Sequence, residues 1–194
     1  MSLTAPKSEI VLPPEGTHIA RCYRLVHMGT IAEQFEGETS FVNKVHLTFE
    51  LPDEKHVFKE GEEAKPFVIS AEYTLSMNDR ANLRKLVEGM NGKTMTQEEA
   101  DLFDVEGLVG MQCLITIKYK TSAKGRKRAE IASASPMMKG QEPRSGFNES
   151  KILTFQNWNN DLFESLPKFV KDKIVSSREY LVMKGMKGEE EIPF

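Results

Sequence analysis

Apolar and polar residues alternate in five stretches of the chain, and this alternation predicts five β-strands. It is clearest over residues 41–51, where one face of the strand carries Phe41, Val45, Leu47, Phe49 and Leu51. Mainly polar side chains fall on the other face, which is typical of a half-buried strand. The other strands are predicted in stretches rich in β-branched and aromatic residues that adjoin Gly or Pro, namely residues 17–28, 66–75, 111–120 and 128–135.

Two helices are predicted between the third and fourth strands. Ser76 suits the N-cap of a helix over residues 77–90, and Thr96 and Glu99 fit a capping box at the start of a shorter one. Five strands with a helical insertion at this place follow the order of an OB-fold, a small Greek-key barrel. An open sheet with helices packed on one face would give a similar pattern. We therefore predict a mainly β fold, and specifically a β-barrel of the OB type. The pattern does not decide whether the sheet closes into a barrel.

The last third of the chain changes character. Residues 138–150 are rich in Gly, Pro, Lys and Ser and are predicted to be a linker, whereas residues 158–183 have helical spacing that Pro167 should interrupt. The helical stripe either packs back on the barrel, which we favour, or recruits a partner or a second subunit. The predicted organisation is an N-terminal arm (1–13), an OB-fold domain (14–137), the linker (138–150), a C-terminal helical segment (151–184) and a tail (185–194).

Composition narrows the classes of function. The chain has 28% charged and 39% hydrophobic residues, and it lacks an apolar run near the ~18 residues of a membrane span and the order of a secretory signal. We expect a protein of the cytoplasm, with Cys22 and Cys113 as buried thiols. Phosphate-binding glycine loops, HExxH and paired CxxC motifs are absent, and the four histidines are scattered. An enzyme, a metal site or a cofactor is therefore not expected.

Charge is unevenly distributed along the chain. The net charge is −3, but without three glutamates near the C-terminus the acidic residues fall from 29 to 26 and equal the 26 basic ones. Residues 111–128 contain six basic residues and no acidic one. A basic stripe on a neutral body is compatible with binding to phosphates.

The chain ends in an acidic and apolar hexapeptide, Glu189, Glu190, Glu191, Ile192, Pro193 and Phe194. It resembles the acidic tip of bacterial single-stranded DNA-binding proteins, in which an acidic run ends in the same Ile-Pro-Phe. The resemblance implies that these six residues bind partner enzymes, with charge steering the approach and apolar side chains anchoring it. The alternative interpretation is an acidic solubilising tail.

The body of the chain also resembles a known group of proteins. Small proteins of bacteriophage replication and recombination modules, taken to be single-stranded DNA-binding proteins, are similar to it over residues 14 to about 140. The similarity lies in Pro14-Glu15-Gly16-Thr17, Lys65-Pro66-Phe67-Val68-Ile69-Ser70, Tyr73-Thr74-Leu75-Ser76, Asn82-Leu83-Arg84-Lys85 and Leu108-Val109-Gly110.

A binding groove can be mapped from the OB geometry. Ligands of OB-folds lie across the outer face of strands two and three, between the loops that follow strands one and four. The hairpin around Gly125 would form one wall of this groove. Residues 30–40, which we predict to be a long polar loop, would form the other wall, and Val68 or Ser70 would be part of its floor. The predicted DNA-binding residues are Arg21, Tyr23, Arg24, Phe35, Lys44, His46, Lys118, Tyr119, Lys120, Lys124, Arg126, Lys127 and Arg128.

Some of these residues have a second interpretation. Tyr119 shares its parity with Ile115 and Ile117 and is as well suited to the core as to stacking on a base. Arg21 and Arg24 have opposite parity, so both face one groove only if a β-bulge lies between them.

These observations predict a non-enzymatic protein that coats single-stranded DNA with little sequence preference in phage DNA replication or recombination, inside a bacterial host cell. Its tip would recruit replication, recombination or repair enzymes. The alternative is an adaptor or inhibitor that captures host enzymes by mimicking the tip and binds no DNA. An enzyme is the third hypothesis. The sequence does not decide whether the protein forms homo-oligomers.

Overall fold

The computed structural model describes residues 11–186, so residues 1–10 of the predicted arm and the hexapeptide 189–194 lie outside it. The described chain is mainly β. Its elements are β1 (Gly16–Phe35), β2 (Glu38–His56), β3 (Lys65–Thr74), α1 (Asn82–Asn91), α2 (Gln97–Asp101), a 3-10 turn (Val105–Leu108), β4 (Gln112–Thr121), β5 (Lys127–Ser135), β6 (Lys151–Leu153), α3 (Asn160–Glu164), α4 (Lys168–Val175) and α5 (Arg178–Met183).

The strands form one open sheet in the order β3-β2-β1-β4-β5. Neighbours along this path are antiparallel, and β6 is added parallel to β1. Over the described residues β3 and β5 are the two edges, and no ladder of hydrogen bonds joins them. The expectation of a mainly β fold is therefore confirmed, whereas closure into a barrel is not observed.

The region between the first two strands differs from the prediction. Residues 30–40 were expected to be a loop, but β1 continues to Phe35 and β2 begins at Glu38. Only Glu36 and Gly37 form the turn, with φ of 50° and 87°. Positive φ at both positions is what the type I′ turn of a two-residue hairpin requires, and the twist of that turn matches the twist of the flanking strands. The result is a long two-stranded arm on which Phe41, expected in the core, is 49% exposed.

The helical insertion is present with a different start. The first helix begins at Asn82, and its N-cap is Ala81, so the prediction of Ser76 as its cap was wrong. The capping box of α2 is confirmed: Thr96 Oγ1 accepts from the Glu99 N–H (3.1 Å) and Glu99 Oε2 accepts from the Thr96 N–H (2.9 Å).

Two apolar clusters lie on opposite faces of the sheet. The inner cluster joins alternate residues of β2, from Val45 to Leu51, to β4 and to the buried side of α1, including Leu83 and Val87. The outer cluster joins Val26 and Met28 of β1 to Leu153 and to apolar residues of α3 and α4, which are Leu162, Phe163, Leu166, Val170 and Ile174.

The C-terminal helical segment is thus docked on the outer face of the sheet. Pro167 interrupts it, as expected, and is the N-cap of α4. Within residues 11–186 each helix is too short, or not apolar enough, to cross a membrane.

Candidate nucleic-acid interface

The outer face of β2 carries polar side chains that are nevertheless buried. His46, Thr48 and Glu50 alternate with the core residues of the inner face, and they are 2%, 2% and 0% exposed. Two parts of the C-terminal region cover them. These are α4, which lies over His46, and residues 142–150, which lie over Glu50 and are called the strap below.

His46, a predicted floor residue, lies beneath Phe169 of α4, with 6.2 Å between the ring centroids. Burial, followed by the nearby charge of Arg24, lowers the pKa of His46 to about 4, so the ring is neutral at pH 7. Its Nδ1 is buried without a hydrogen-bond partner among the described residues. His46 therefore offers almost no surface to a ligand in this structure.

Arg21 and Arg24 face the same side of the sheet. A shift of register between Cys22 and Arg24 places Arg21 opposite Glu50 and Arg24 opposite Thr48. This is the bulge that their opposite parity requires. Tyr23, the residue in the bulge, is 9% exposed, and the guanidinium carbon of Arg24 lies 5.7 Å from the centre of its ring.

The two arginines differ in their surroundings. Arg21 forms an ion pair with Glu50, at 2.7 Å between Nη1 and Oε1, and its side chain is 14% exposed. Arg24 makes long hydrogen bonds from Nε and Nη2 to Thr48 Oγ1 (3.4 and 3.3 Å), and within residues 11–186 no carboxylate pairs with it. Arg24 is thus the cation that this face can offer to a phosphate.

Two phenylalanine rings project from the covering segments. Phe147 of the strap is 52% exposed, and its N–H is bonded to Glu50; Phe169 of α4 is 54% exposed and packs on His46. His46 and Glu50 are four residues apart on β2, which corresponds to about 13 Å along a strand. The backbone of Phe147, which is bonded to Glu50, and the ring of Phe169, which packs on His46, therefore lie over positions on either side of Thr48.

The neighbouring strand completes this surface. Ser70 of β3 lies opposite Thr48 and is exposed, and Val68 lies opposite Glu50 and is 45% exposed. We call the surface formed by Phe147, Arg24, Ser70, Val68 and Phe169 the outer groove. It combines exposed rings with a cation, which are the components that bind single-stranded nucleic acids without reading their sequence.

The β4–β5 hairpin carries the remaining predicted cations. Lys124 and Arg126 lie at its exposed tip, and neither has a carboxylate partner in the described part of the chain. Glu130, in contrast, pairs with Arg128 (2.5 Å) and more loosely with Lys120 (3.8 Å). Lys118 is exposed on β4, two residues before Lys120.

Tyr119 is already engaged. Lys127 Nζ lies 4.0 Å from the centre of its ring, and its hydroxyl donates to the carbonyl oxygen of Pro13 (3.0 Å). The ring is half-buried, so it serves neither of its two expected roles fully.

The two predicted walls lie toward opposite ends of β1. Gly16 pairs with Ile117, so β4 continues beyond the start of β1 into the basic hairpin, whereas the turn at Gly37 follows the end of β1. Lys44, near that second end, pairs with Glu33 at 2.5 Å and is 14% exposed in its side chain. Phe35 ends β1, and its side chain is not among those described. The outer groove lies between these two ends.

Phe147 and Phe169 were missed by the sequence analysis, although each left a signal. Phe169 was counted in the apolar stripe of the C-terminal helical segment, but it is adjacent to Val170, and Val170 and Ile174, four residues apart, are the buried residues of α4. Phe147 is an aromatic residue in a stretch otherwise rich in Gly, Pro, Lys and Ser.

No protein-family model matches the chain, and neither curated proteins nor solved structures match it significantly.

Proposed function

We propose that this protein binds single-stranded DNA and that the outer groove is the binding surface. The observation that carries the proposal is a pair of half-exposed rings, Phe147 and Phe169, on the segments that cover Glu50 and His46. Arg24, which has no carboxylate partner in the described chain, lies opposite Thr48 between those two positions. Base stacking on such rings contributes roughly 1–3 kcal/mol per base and tolerates any sequence. Arg24 would neutralise a phosphate between the two stacked bases.

We also propose that the sheet is a partly open OB-fold. Its strand order would become a five-stranded barrel if β3 paired with β5, and α1 lies between the third and fourth strands. The outer face of β2 and β3 is where OB-folds bind oligonucleotides. The position of the outer groove on that face supports both parts of the proposal.

The basic hairpin would provide a second set of phosphate contacts. Lys124 and Arg126 have no carboxylate partner in the described chain, so their charge is available to a nucleic acid. Contacts of this kind depend on the release of counterions and weaken steeply with salt.

The biological role proposed here is that of a phage protein that coats exposed strands during replication or recombination. The acidic tip, Glu189 to Phe194, would recruit partner enzymes. This part rests on the resemblance of the hexapeptide to the bacterial tips, since those residues lie outside the described structure.

One observation favours the alternative of an adaptor that binds no DNA. The outer face of β2, which forms the floor of the groove in an OB-fold, is largely covered by the protein's own C-terminal segment. An adaptor would need only the acidic tip and a stable body. A measurement of DNA binding therefore distinguishes the DNA-coating protein from the adaptor.

The test is a titration of a fluorescently labelled oligothymidine at low and at high salt. Clear affinity at low salt, with a steep loss as salt rises, would support the proposal. Phe147→Ala and Phe169→Ala should each lower affinity roughly 5- to 150-fold, which corresponds to the loss of one stacked base. No binding by the unchanged protein at low salt would overturn the proposal and leave the adaptor.

A matched control is Phe58→Ala. Phe58 is 49% exposed, but it packs on Phe67 at the β2–β3 connection, away from the outer groove. Its loss should leave affinity unchanged. If charge reversal at Lys124 and Arg126 abolished binding while the two groove variants bound normally, the site would lie on the hairpin instead. Removal of residues 192–194 should leave DNA affinity equal or higher and abolish capture of partner enzymes.

A further inference from the structure

We propose that the strap is a positioning device, in which Glu50, Gly146 and Asn148 hold the ring of Phe147 over the outer groove without touching the nucleic acid. The proposal rests on the proposed function and adds to it the residues that orient one of the two stacking rings.

Glu50 is the centre of the device. It is fully buried, and its carboxylate accepts hydrogen bonds from Arg21 Nη1 (2.7 Å), from the N–H of Phe147 (3.1 Å), and from the N–H and Nδ2 of Asn148 (2.8 and 2.7 Å). A buried carboxylate is costly unless such partners satisfy it. Three of the four bonds come from the strap, so Glu50 would keep only its bond from Arg21 if the strap were displaced.

Gly146 lets the strap pass close to Arg21. A Cβ at this position would overlap the guanidinium group of Arg21. The φ of Gly146 is not in the positive range that favours glycine, so space rather than backbone conformation requires glycine here. A methyl group would push either Arg21 or the strap away from Glu50.

Both ends of the strap are also fixed. The side chain of Gln112 bonds the carbonyl oxygen (2.7 Å) and the N–H (2.8 Å) of Arg144, and Arg144 Nε lies 2.8 Å from Asp53 Oδ1. At the other end Arg21 Nη2 donates to Ser150 Oγ (2.6 Å), directly before β6. A segment that only connected two elements would not need this network.

The network fixes the backbone on both sides of Phe147 while its ring stays 52% exposed. A ring on an ordered backbone loses less conformational entropy when a base stacks on it than a ring on a mobile segment, so more of the stacking energy appears as affinity. The strap therefore raises affinity for single-stranded DNA by ordering Phe147 before binding.

The test compares Gly146→Ala with Gly107→Ala. Gly107 also lacks a positive φ, and no atom of the described residues lies within 4 Å of the Cβ it would acquire, so it controls for the change of residue type. Gly146→Ala should lower affinity for oligothymidine by about the same factor as Phe147→Ala, and Gly107→Ala should not lower it.

A double-mutant cycle separates positioning from general damage. If Gly146 acts through Phe147, then Gly146→Ala adds no further loss in a Phe147→Ala background. Equal losses in both backgrounds would overturn the proposal. Asn148→Ala, which removes one side-chain bond to Glu50, provides a milder second variant should Gly146→Ala fold poorly.

Amide hydrogen exchange gives a readout that does not depend on DNA. The N–H groups of Phe147 and Asn148 should exchange slowly in the unchanged protein and faster in Gly146→Ala. Lost protection with unchanged affinity would overturn the positioning role alone. Absence of DNA binding by the unchanged protein would overturn the proposed function, and the positioning role with it.

Discussion

Over residues 45–51 the two faces of β2 are equally buried but have opposite chemistry. The inner face presents apolar residues, such as Leu47 and Phe49, to α1 and β4, and the outer face presents His46, Thr48 and Glu50 to the C-terminal segment. Alternation along a strand is ordinarily associated with one buried and one solvated face. Here the polar face is covered by a later part of the same chain.

The two covers stabilise the protein in different ways. On the inner face the stabilisation follows from the apolar area removed from water, which needs shape but no particular partner. Over β2 and β3, the outer cover is held at specific points, namely Phe169 on His46, Lys173 on Glu72 of β3 (2.5 Å) and the strap on Glu50. Between these points the cover leaves the outer groove accessible.

The largest expected effect is that of removing a ring from the inner face. Phe49 is fully buried, so Phe49→Ala should lower the free energy of unfolding by about 3–5 kcal/mol. Phe169→Ala makes the same chemical change on the outer cover, where the ring is 54% exposed, and should cost about 1 kcal/mol or less. Urea unfolding of both variants measures the difference.

Similar losses for the two variants would contradict this comparison. They would mean that Phe169 contributes as much to the fold as a core residue, and that its exposed surface is not available for stacking on a base.

The features that were predictable from sequence are local. The capping box of Thr96 and Glu99 depends on residues three apart, and the inner face of β2 from Val45 to Leu51 follows from its alternation, so both were predicted correctly, whereas Phe41 at the start of the same pattern is exposed. The contact between Glu50 and Asn148 joins residues 98 apart in the chain, and no periodic pattern contains it. The side of the sheet that Arg24 faces depends on a bulge at Tyr23, which its neighbours did not indicate.

The outer groove was only partly predictable for the same reason. Val68 and Ser70 were mapped to its floor from the strand order, and Arg24 was a candidate as a cation beside Tyr23. Phe147 and Phe169 come from segments interpreted as a linker and a packing helix, and their location depends on docking. The hairpin arm was taken for a loop because its sequence is polar on both faces, which is typical of a ribbon that projects from the sheet.

The second expected effect concerns pH and His46. The pKa of His46 lies near 4 in the folded protein, against an ordinary value of 6.5, because burial together with Arg24 and Lys173 outweighs the opposing charge of Glu72. The unfolded chain therefore takes up a proton at higher pH than the folded one. The contribution of neutral His46 is complete above pH 6.5 and is lost as pH falls toward 4, by on the order of 3 kcal/mol.

The matched variant for this prediction is His46→Leu, which places an apolar side chain under Phe169 and cannot titrate. Its free energy of unfolding should exceed that of the unchanged protein by a margin that grows from pH 7 to pH 4.5. A constant margin would show that His46 is not enclosed by α4, which would weaken the case for a covered outer face.

The smallest expected effect tests how far the cover extends along β1. Gly29 and Gly37 have φ of 80° and 87°, so alanine is strained at both, by about 1–2 kcal/mol. Only at Gly29 would the new Cβ also overlap a neighbour, since it would lie 2.6 Å from Glu179 Oε2 and 2.7 Å from Ser177 Oγ at the start of α5. Gly29→Ala should therefore cost about 1–2 kcal/mol more than Gly37→Ala.

The excess should appear locally as well as in the total. Glu179 binds the N–H and the hydroxyl of Thr30 (2.6 and 2.8 Å), so displacing α5 from Gly29 also breaks these bonds. Amide exchange in α5 should rise in Gly29→Ala and stay unchanged in Gly37→Ala. If the two variants lost the same stability and α5 kept its protection in both, the cover would end at α4, and the hairpin arm beyond Gly29 would stand apart from it.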